Sequence, residues 1–253
     1  MFRARVIPCL LLERGRLVKT VRFRKPQYVG DPVNAVRIFN DREVDELVVL
    51  DISATRAGSE PPFDLLADLA SECFMPLTYG GGVNSLQQIE RLFKLGLEKI
   101  AINSAAFFQP ELIRQASDVF GSQSILVSMD VKQPWLRGYE VYAHGGTVGT
   151  KFDPIAYARR AEEFGAGELL LTSIDRDGTM KGYDLDLVSQ VASEVQIPVV
   201  ACGGAGAPDD LAHVIKQGGA AAAAAGSLFV FHGRYRAVLI NYPSPQALHE
   251  ILT

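Results

Sequence analysis

The chain has 253 residues, 48% of them hydrophobic and 21% charged, with a formal net charge of −4. That balance describes a folded domain with a sizeable core, excludes a disordered chain and gives no electrostatic case for nucleic acid. Three widely spaced cysteines, Cys9, Cys73 and Cys202, with no CxxC pair, exclude a disulfide framework and a cysteine-based metal cluster, and predict reduced thiols in a cytoplasmic protein.

Taken in chain order, short apolar runs at 5–12, 47–52, 76–79, 99–102, 124–130, 169–174, 198–202 and 221–225 read as strands. Segments 62–72, 85–95, 185–194 and 208–217 carry helical spacing between them. The first run is too short for a secretory leader, is followed by Glu13-Arg14, and has no small-residue cleavage site. No run reaches the roughly eighteen apolar residues that a membrane span needs.

Segment 46–105 lies on 168–227 without a gap at an offset of 122, and fourteen of the sixty positions are identical, where composition alone gives about four. Glu46-Leu47 falls on Glu168-Leu169, Ala70-Ser71-Glu72 on Ala192-Ser193-Glu194, and Gly81-Gly82 on Gly203-Gly204. With one further strand before each copy, the chain has eight strands in two equal halves. The expected architecture is α/β, a (β/α)8 barrel spanning 1–253 as a single domain, with half-barrels about 1–120 and 121–253. A doubly wound sheet is the rival; it suits a half-and-half repeat less well because it leaves open edges.

Strand side chains alternate, so Arg5, Ile7, Cys9 and Leu11 share one face. The same parity groups Glu46 with Val48 and Leu50, Lys99 with Ala101 and Asn103, and Glu168 with Leu170 and Thr172. If these faces point inward, Arg5, Glu46, Lys99 and Glu168 form a mixed-sign ring across the barrel bottom, which by residue type alone is a salt-bridge plug. The segment Glu13 to Gly30 carries six basic residues, including Lys19, and no acid after Glu13. It is expected to be a mobile loop on the catalytic face that closes over an anionic ligand, or else a solvated loop.

Gly80-Gly81-Gly82 and Gly203-Gly204-Ala205-Gly206 each lead from a strand into a helix. Backbone amides in such loops bind anions. With Asn103, Ser104, Gly178, Gly226 and Ser227 at neighbouring strand ends, they predict two symmetric sites for a phosphorylated small molecule. Carboxylates at strand ends, Asp51, Asp130, Asp175 and Asp177, are candidate acids and bases, with Asp130 and Asp177 foremost and Asp175 favoured as structural. The four histidines are scattered and no HExxH occurs, so neither a metal nor a cofactor is expected. Trp135 falls in an expected mobile loop over 133–145, and 229–243 in the expected last helix region and tail.

Over nearly its whole length the chain resembles the cyclase subunit of imidazole glycerol phosphate synthase. The carrying residues are Val6-Ile7-Pro8-Cys9-Leu10, Gly30-Asp31-Pro32, Asp45-Glu46-Leu47, the two glycine loops, Phe120-Gly121-Ser122-Gln123 and the stretch 170–178. The resemblance implies a glutaminase partner at the barrel bottom, with Arg5, Glu46, Lys99 and Glu168 as an ammonia gate, and a bis-phosphate substrate on top. It also implies two strand-end aspartates as the acid–base pair. Asp130 is present, but Leu11 stands where the other belongs.

That departure, with segment 229–243, is similar to a divergent branch associated with surface-polysaccharide synthesis. There an amidotransferase makes an acetamidino group on a nucleotide sugar, and the barrel is implied to pass ammonia to this third protein without cyclising. A working histidine-pathway cyclase and a scaffold that only activates its glutaminase are the alternatives.

Overall fold

The computed structural model describes residues 4–135 and 137–252. In chain order the strands are β1 (Arg5–Glu13), β2 (Arg16–Val21), β3 (Arg24–Gly30), β4 (Leu47–Asp51), β5 (Leu77–Gly80), β6 (Lys99–Ile102), β7 (Ile125–Lys132), β8 (Glu140–Ala143), β9 (Val148–Gly149), β10 (Glu168–Ser173), β11 (Val199–Cys202), β12 (Ala222–Ala225), β13 (Phe231–His232) and β14 (Ala237–Val238). Parallel pairing runs β1-β4-β5-β6-β7-β10-β11-β12 and returns to β1 through Arg5↔Ala222 to Pro8↔Ala225. The eight strands therefore close, and no barrel strand has a free edge.

The helices are α1 (Pro32–Asp41), α2 (Ala54–Ala57), α3 (Phe63–Glu72), α4 (Leu86–Lys94), α5 (Ser104–Phe108), α6 (Glu111–Phe120), α7 (Pro154–Glu163), α8 (Leu185–Ala192), α9 (Pro208–Lys216), α10 (Ser227–Val230) and α11 (Pro245–Leu252). Between successive barrel strands lie α1, α3, α4, α6, α7, α8 and α9, and α11 follows the last strand. This is the (β/α)8 barrel expected from the repeat. Short polar side chains start several of these helices: Asp31 accepts from the Asn34 amide, Ser85 from Gln88, Asp153 from Ile155 and Ala156, and Asp184 from Leu187. Each such cap is worth about 1 kcal/mol.

Alternation divides the core in two. The outward strand positions, among them Leu10, Leu12, Leu47, Ile100, Val127 and Leu169, join the buried faces of the helices in one continuous cluster. Ile7, Cys9, Val48, Ala101, Leu126, Leu170, Val200, Cys202, Ala222 and Ala224 fill the barrel interior, with Leu11 and Leu50 packed on top of them. The strand faces carrying Arg5, Glu46, Lys99 and Glu168 thus point inward.

β12 is a run of four alanines between β1 and β11, and it closes the ring. Two tyrosines clamp that closure: the Tyr183 hydroxyl donates to the Ala224 carbonyl at 2.9 Å and the Tyr242 hydroxyl to the Val6 carbonyl at 2.8 Å.

Three expectations are corrected. Segment 13–30 is not a loop but a hairpin, with β2 antiparallel to β1 and β3 antiparallel to β2. Its turns place Arg14 and Gly15, then Arg22 and Phe23, at positive φ, the conformation of a two-residue hairpin turn that matches strand twist. Segment 133–145 likewise contains β8, which pairs with β7, and Trp135 is exposed ahead of it. Segment 229–243 holds the end of α10 and the β13–β14 hairpin, and the last helix begins only at Pro245.

Candidate functional site

The two ends of the barrel carry different chemistry. At the N-terminal ends of the strands, Lys99 Nζ lies 3.1 Å from Glu46 Oε2 and 2.9 Å from Glu168 Oε2, while Arg5 pairs with both carboxylates. Thr78 donates to the other Glu46 oxygen at 2.9 Å. Each acid therefore meets both bases, and the four residues make a closed square with no net charge. Both glutamates are buried, at 2% and 4% exposure, where losing a partner costs far more than at the surface. Burial opposes the charge on Arg5, but the bonds and charges of Glu168 and Glu46 outweigh it and raise the guanidinium pKa.

The C-terminal ends open into a cavity at the mouth of the barrel. Leu11, Lys19, Asp130, Asp177, Gly178, Gly81, Asn103, Ser104, Gly203, Gly204, Gly226 and Ser227 all line it. Gly82 lines an adjoining cavity that shares Gly81, Asn103 and Ser104 with the first. The site residues named from sequence thus fall at one mouth, except for the four at the base.

Asp130 sits on β7 and is 7% exposed. Burial, aided by the charge of Asp177 and opposed by a hydrogen bond from Asn103, pushes its carboxyl up to about 7. A carboxyl there is close to evenly divided between acid and base at neutral pH, the condition a proton-transfer group needs. Leu11 is on β1. In the closed order three strands separate β1 from β7 in either direction, so the two are diametrically opposed. Leu11 pairs in register with Leu50, and both pack on the interior cluster, so an apolar wall faces Asp130.

The remaining acids have local duties. Asp51 accepts from the Ser53 and Ala54 amides and the Ser53 hydroxyl, as a helix cap does. Asp175 accepts from the Gln133 amide at 2.9 Å. Asp177 accepts from the Thr20 hydroxyl at 3.0 Å, and its backbone carbonyl takes the Arg22 amide at 2.9 Å. Burial raises its carboxyl pKa against the opposing charge of Lys19. Asp177 is therefore the latch that holds the β2–β3 hairpin over the mouth.

Gly178 belongs to the same latch. Its φ is +67°, and any Cβ would collide with the Thr20 carbonyl, so the hairpin can approach only a glycine. Gly81, at φ +128°, leaves 2.5 Å between an added Cβ and the Asp51 carbonyl, and Gly203, at φ +88°, leaves 2.8 Å to that of Ser173. The glycine loops of the two repeats thus share both conformation and close approach.

Asn103 and Ser104 are placed differently from an open anion cradle. The Asn103 amide donates to the Ser128 carbonyl at 2.9 Å and to Asp130 at 3.1 Å, and the Ser104 hydroxyl takes the His144 amide at 2.9 Å. Sequence reasoning also missed Thr20 and Cys202. Alternation along 16–21 gives no signal for the first, since it sends Lys19 and Thr20 to opposite faces although both line the cavity. Cys202 sits beside Cys9 in the interior, and its thiol hydrogen bond is the leading influence lowering the pKa of Cys9. Among the described residues no group of three or more His, Cys, Asp or Glu could hold a metal ion, and no helix is long and apolar enough to cross a membrane.

The family model described as "Histidine biosynthesis protein" matches residues 5–236. The chain is 52% identical to a Pseudomonas aeruginosa protein provisionally named imidazole glycerol phosphate synthase subunit hisF2, over 98% of this chain and 99% of that one. It is 50% identical to a Vibrio vulnificus protein provisionally named subunit hisF3, over 100% and 97%, and 49% identical to a Leptospira interrogans protein provisionally named subunit HisF, over 96% of each. With the barrel closed and both glycine loops in place, the chain belongs to the histidine biosynthesis protein family, as a HisF-like member of it.

Proposed function

We propose that this barrel receives ammonia from a glutaminase docked at its base and passes it to the amidation of a nucleotide sugar carried out by a third protein, without itself cyclising an imidazole. The observation that carries this reading is Leu11. Ring closure needs one group to give a proton while another takes one. Asp130 is poised for one of those roles, but across the axis from it stand Leu11 and Leu50, and Asp177 is committed to the hairpin. The square of Arg5, Glu46, Lys99 and Glu168 supports ammonia entry, because four charges that satisfy one another leave an uncharged small molecule as the species able to pass a transient opening. That the acceptor is a nucleotide sugar and that a third protein amidates it rest on the resemblance carried by Leu11 and segment 229–243.

A second reading, a working cyclase, is favoured by one observation: Asp130 keeps its raised pKa and its place between two glycine loops. One experiment separates the two. The parent and Leu11→Asp are assayed for imidazole glycerol phosphate formation from the bis-phosphate substrate with excess ammonium salt, which bypasses the barrel axis. The expected result is background turnover in the parent and a rise of about 10²-fold or more in the variant. A parent that turns over well, and gains nothing from the added carboxylate, would replace the proposal with the cyclase.

A further inference from the structure

Lys19 is the buried side chain that the proposed function leaves unused. It projects from β2 into the mouth, is 5% exposed, and donates from Nζ to the backbone carbonyl of Cys9. Among the described residues no carboxylate lies within 4.0 Å of that nitrogen, and the Cys9 carbonyl is its one hydrogen-bond acceptor. Nζ also sits against Gly226, directly after β12, where an added Cβ would meet it. An ammonium group carries three donors and a full charge. Held dry with one neutral acceptor, it gives up its proton more readily than a lysine in water does.

We infer that Lys19 is a nucleophilic amine that forms an imine with the carbonyl carbon of a small phosphorylated aldehyde or ketone bound in the mouth. This goes beyond the proposed function and does not depend on a glutaminase or on ammonia. The step balances without an oxidant or reductant. The Nζ lone pair attacks the carbonyl carbon, the C=O π pair moves to oxygen, and that oxygen takes a proton to give a carbinolamine. Nitrogen then loses a proton as the hydroxyl leaves with another, so one water is released for each C=N bond formed.

Asp130 lines the same cavity and is the group suited to carry those protons, since its carboxyl is pushed up to about 7. Burial, the largest influence, lowers the Lys19 pKa, against the charges of Cys9, Asp177 and Cys202, which raise it. A depressed amine and a raised carboxyl lining one cavity are the two kinds of group that imine formation uses. Loss of water is also helped by a cavity from which the hairpin latch excludes bulk solvent on one side.

The test is reductive trapping of the whole chain with dihydroxyacetone phosphate and sodium cyanoborohydride at neutral pH, followed by peptide mapping. One equivalent at Lys19 is expected, appearing at least about tenfold faster than label at the exposed Lys25, Lys94, Lys151 and Lys216. Asp130→Asn should slow labelling at Lys19 by about tenfold or more while leaving the surface lysines unchanged. Lys19→Met removes the fast label; should that variant fail to fold, the map of the parent decides alone. If Lys19 is the slowest lysine to label, as a buried cation holding phosphate would be, or if Asp130→Asn leaves its rate unaltered, the inference is overturned.

Discussion

Asp130→Asn tests the electrostatics of the mouth without any substrate. The carboxyl stands at about 7 in the folded chain against 3.8 for an ordinary aspartate. That gap of about three pKa units corresponds to about 4 kcal/mol at 1.36 kcal/mol per unit. With the residue 7% exposed, screening by water takes little off this figure. The sign follows from proton binding. Between pH 3.8 and about 7 the folded chain holds a proton that the unfolded chain has released, so stability falls as pH rises through that window and is level above it.

The amide of asparagine has no such dependence. Urea denaturation of both proteins at steps from pH 4 to pH 8 should show the parent losing several kcal/mol more than the variant over this range. By pH 8 the variant should be the more stable. Asp177, whose carboxyl burial also raises, leaves a residual slope in both proteins, which is why the difference between the curves is the quantity to read. Parallel curves would refute a raised Asp130 pKa and with it the assignment of the proton carrier.

Further predictions concern the base and the latch. Glu168→Ala leaves Arg5 and Lys99 to share Glu46 and should cost about 3 kcal/mol in urea; in the presence of the glutaminase, more glutamine should be consumed per amidated product. Lys99→Ala should act in the same direction, and parent-like midpoints and coupling in both variants would remove the ring from the path of ammonia. Gly178→Ala places a Cβ into the Thr20 carbonyl at φ +67°. It should cost about 1–3 kcal/mol and open the β2–β3 hairpin to trypsin at Arg22 and Arg24, whereas a parent-like digest would mean that the hairpin is not seated on this glycine.

Side-chain parity and the internal repeat carried most of the architecture. Alternation alone groups Arg5, Ile7, Cys9 and Leu11 on one face, and the barrel holds Ile7 and Cys9 in its interior core, with Leu11 packed on top and Arg5 at the base. The hairpin at 13–30 was not legible because its second turn, at Arg22 and Phe23, takes positive φ without a glycine or asparagine, so the usual punctuation was missing. Asn103 was placed near an anion loop by the repeat. Its amide instead turns inward to Asp130 and the Ser128 carbonyl, a choice between neighbouring acceptors that local sequence does not encode. Gly178 was read as a ligand contact because glycines at strand ends often are, while its close neighbour proved to be a carbonyl nearly 160 positions earlier in the chain.

The alanine run of β12 bears on how the chain reaches its native state. Alanine is a poor strand former, yet this strand, the last of the barrel, must join β11 to β1, the first. Seven strands and their helices can collapse during synthesis, but the ring stays an open, curved sheet until residues 222–225 and Tyr242 have left the ribosome. Such a late, long-range pairing is slow. The same seam that finishes folding should be where the barrel first exchanges its amide hydrogens, with the β1 and β12 amides opening ahead of those in β7 and β10.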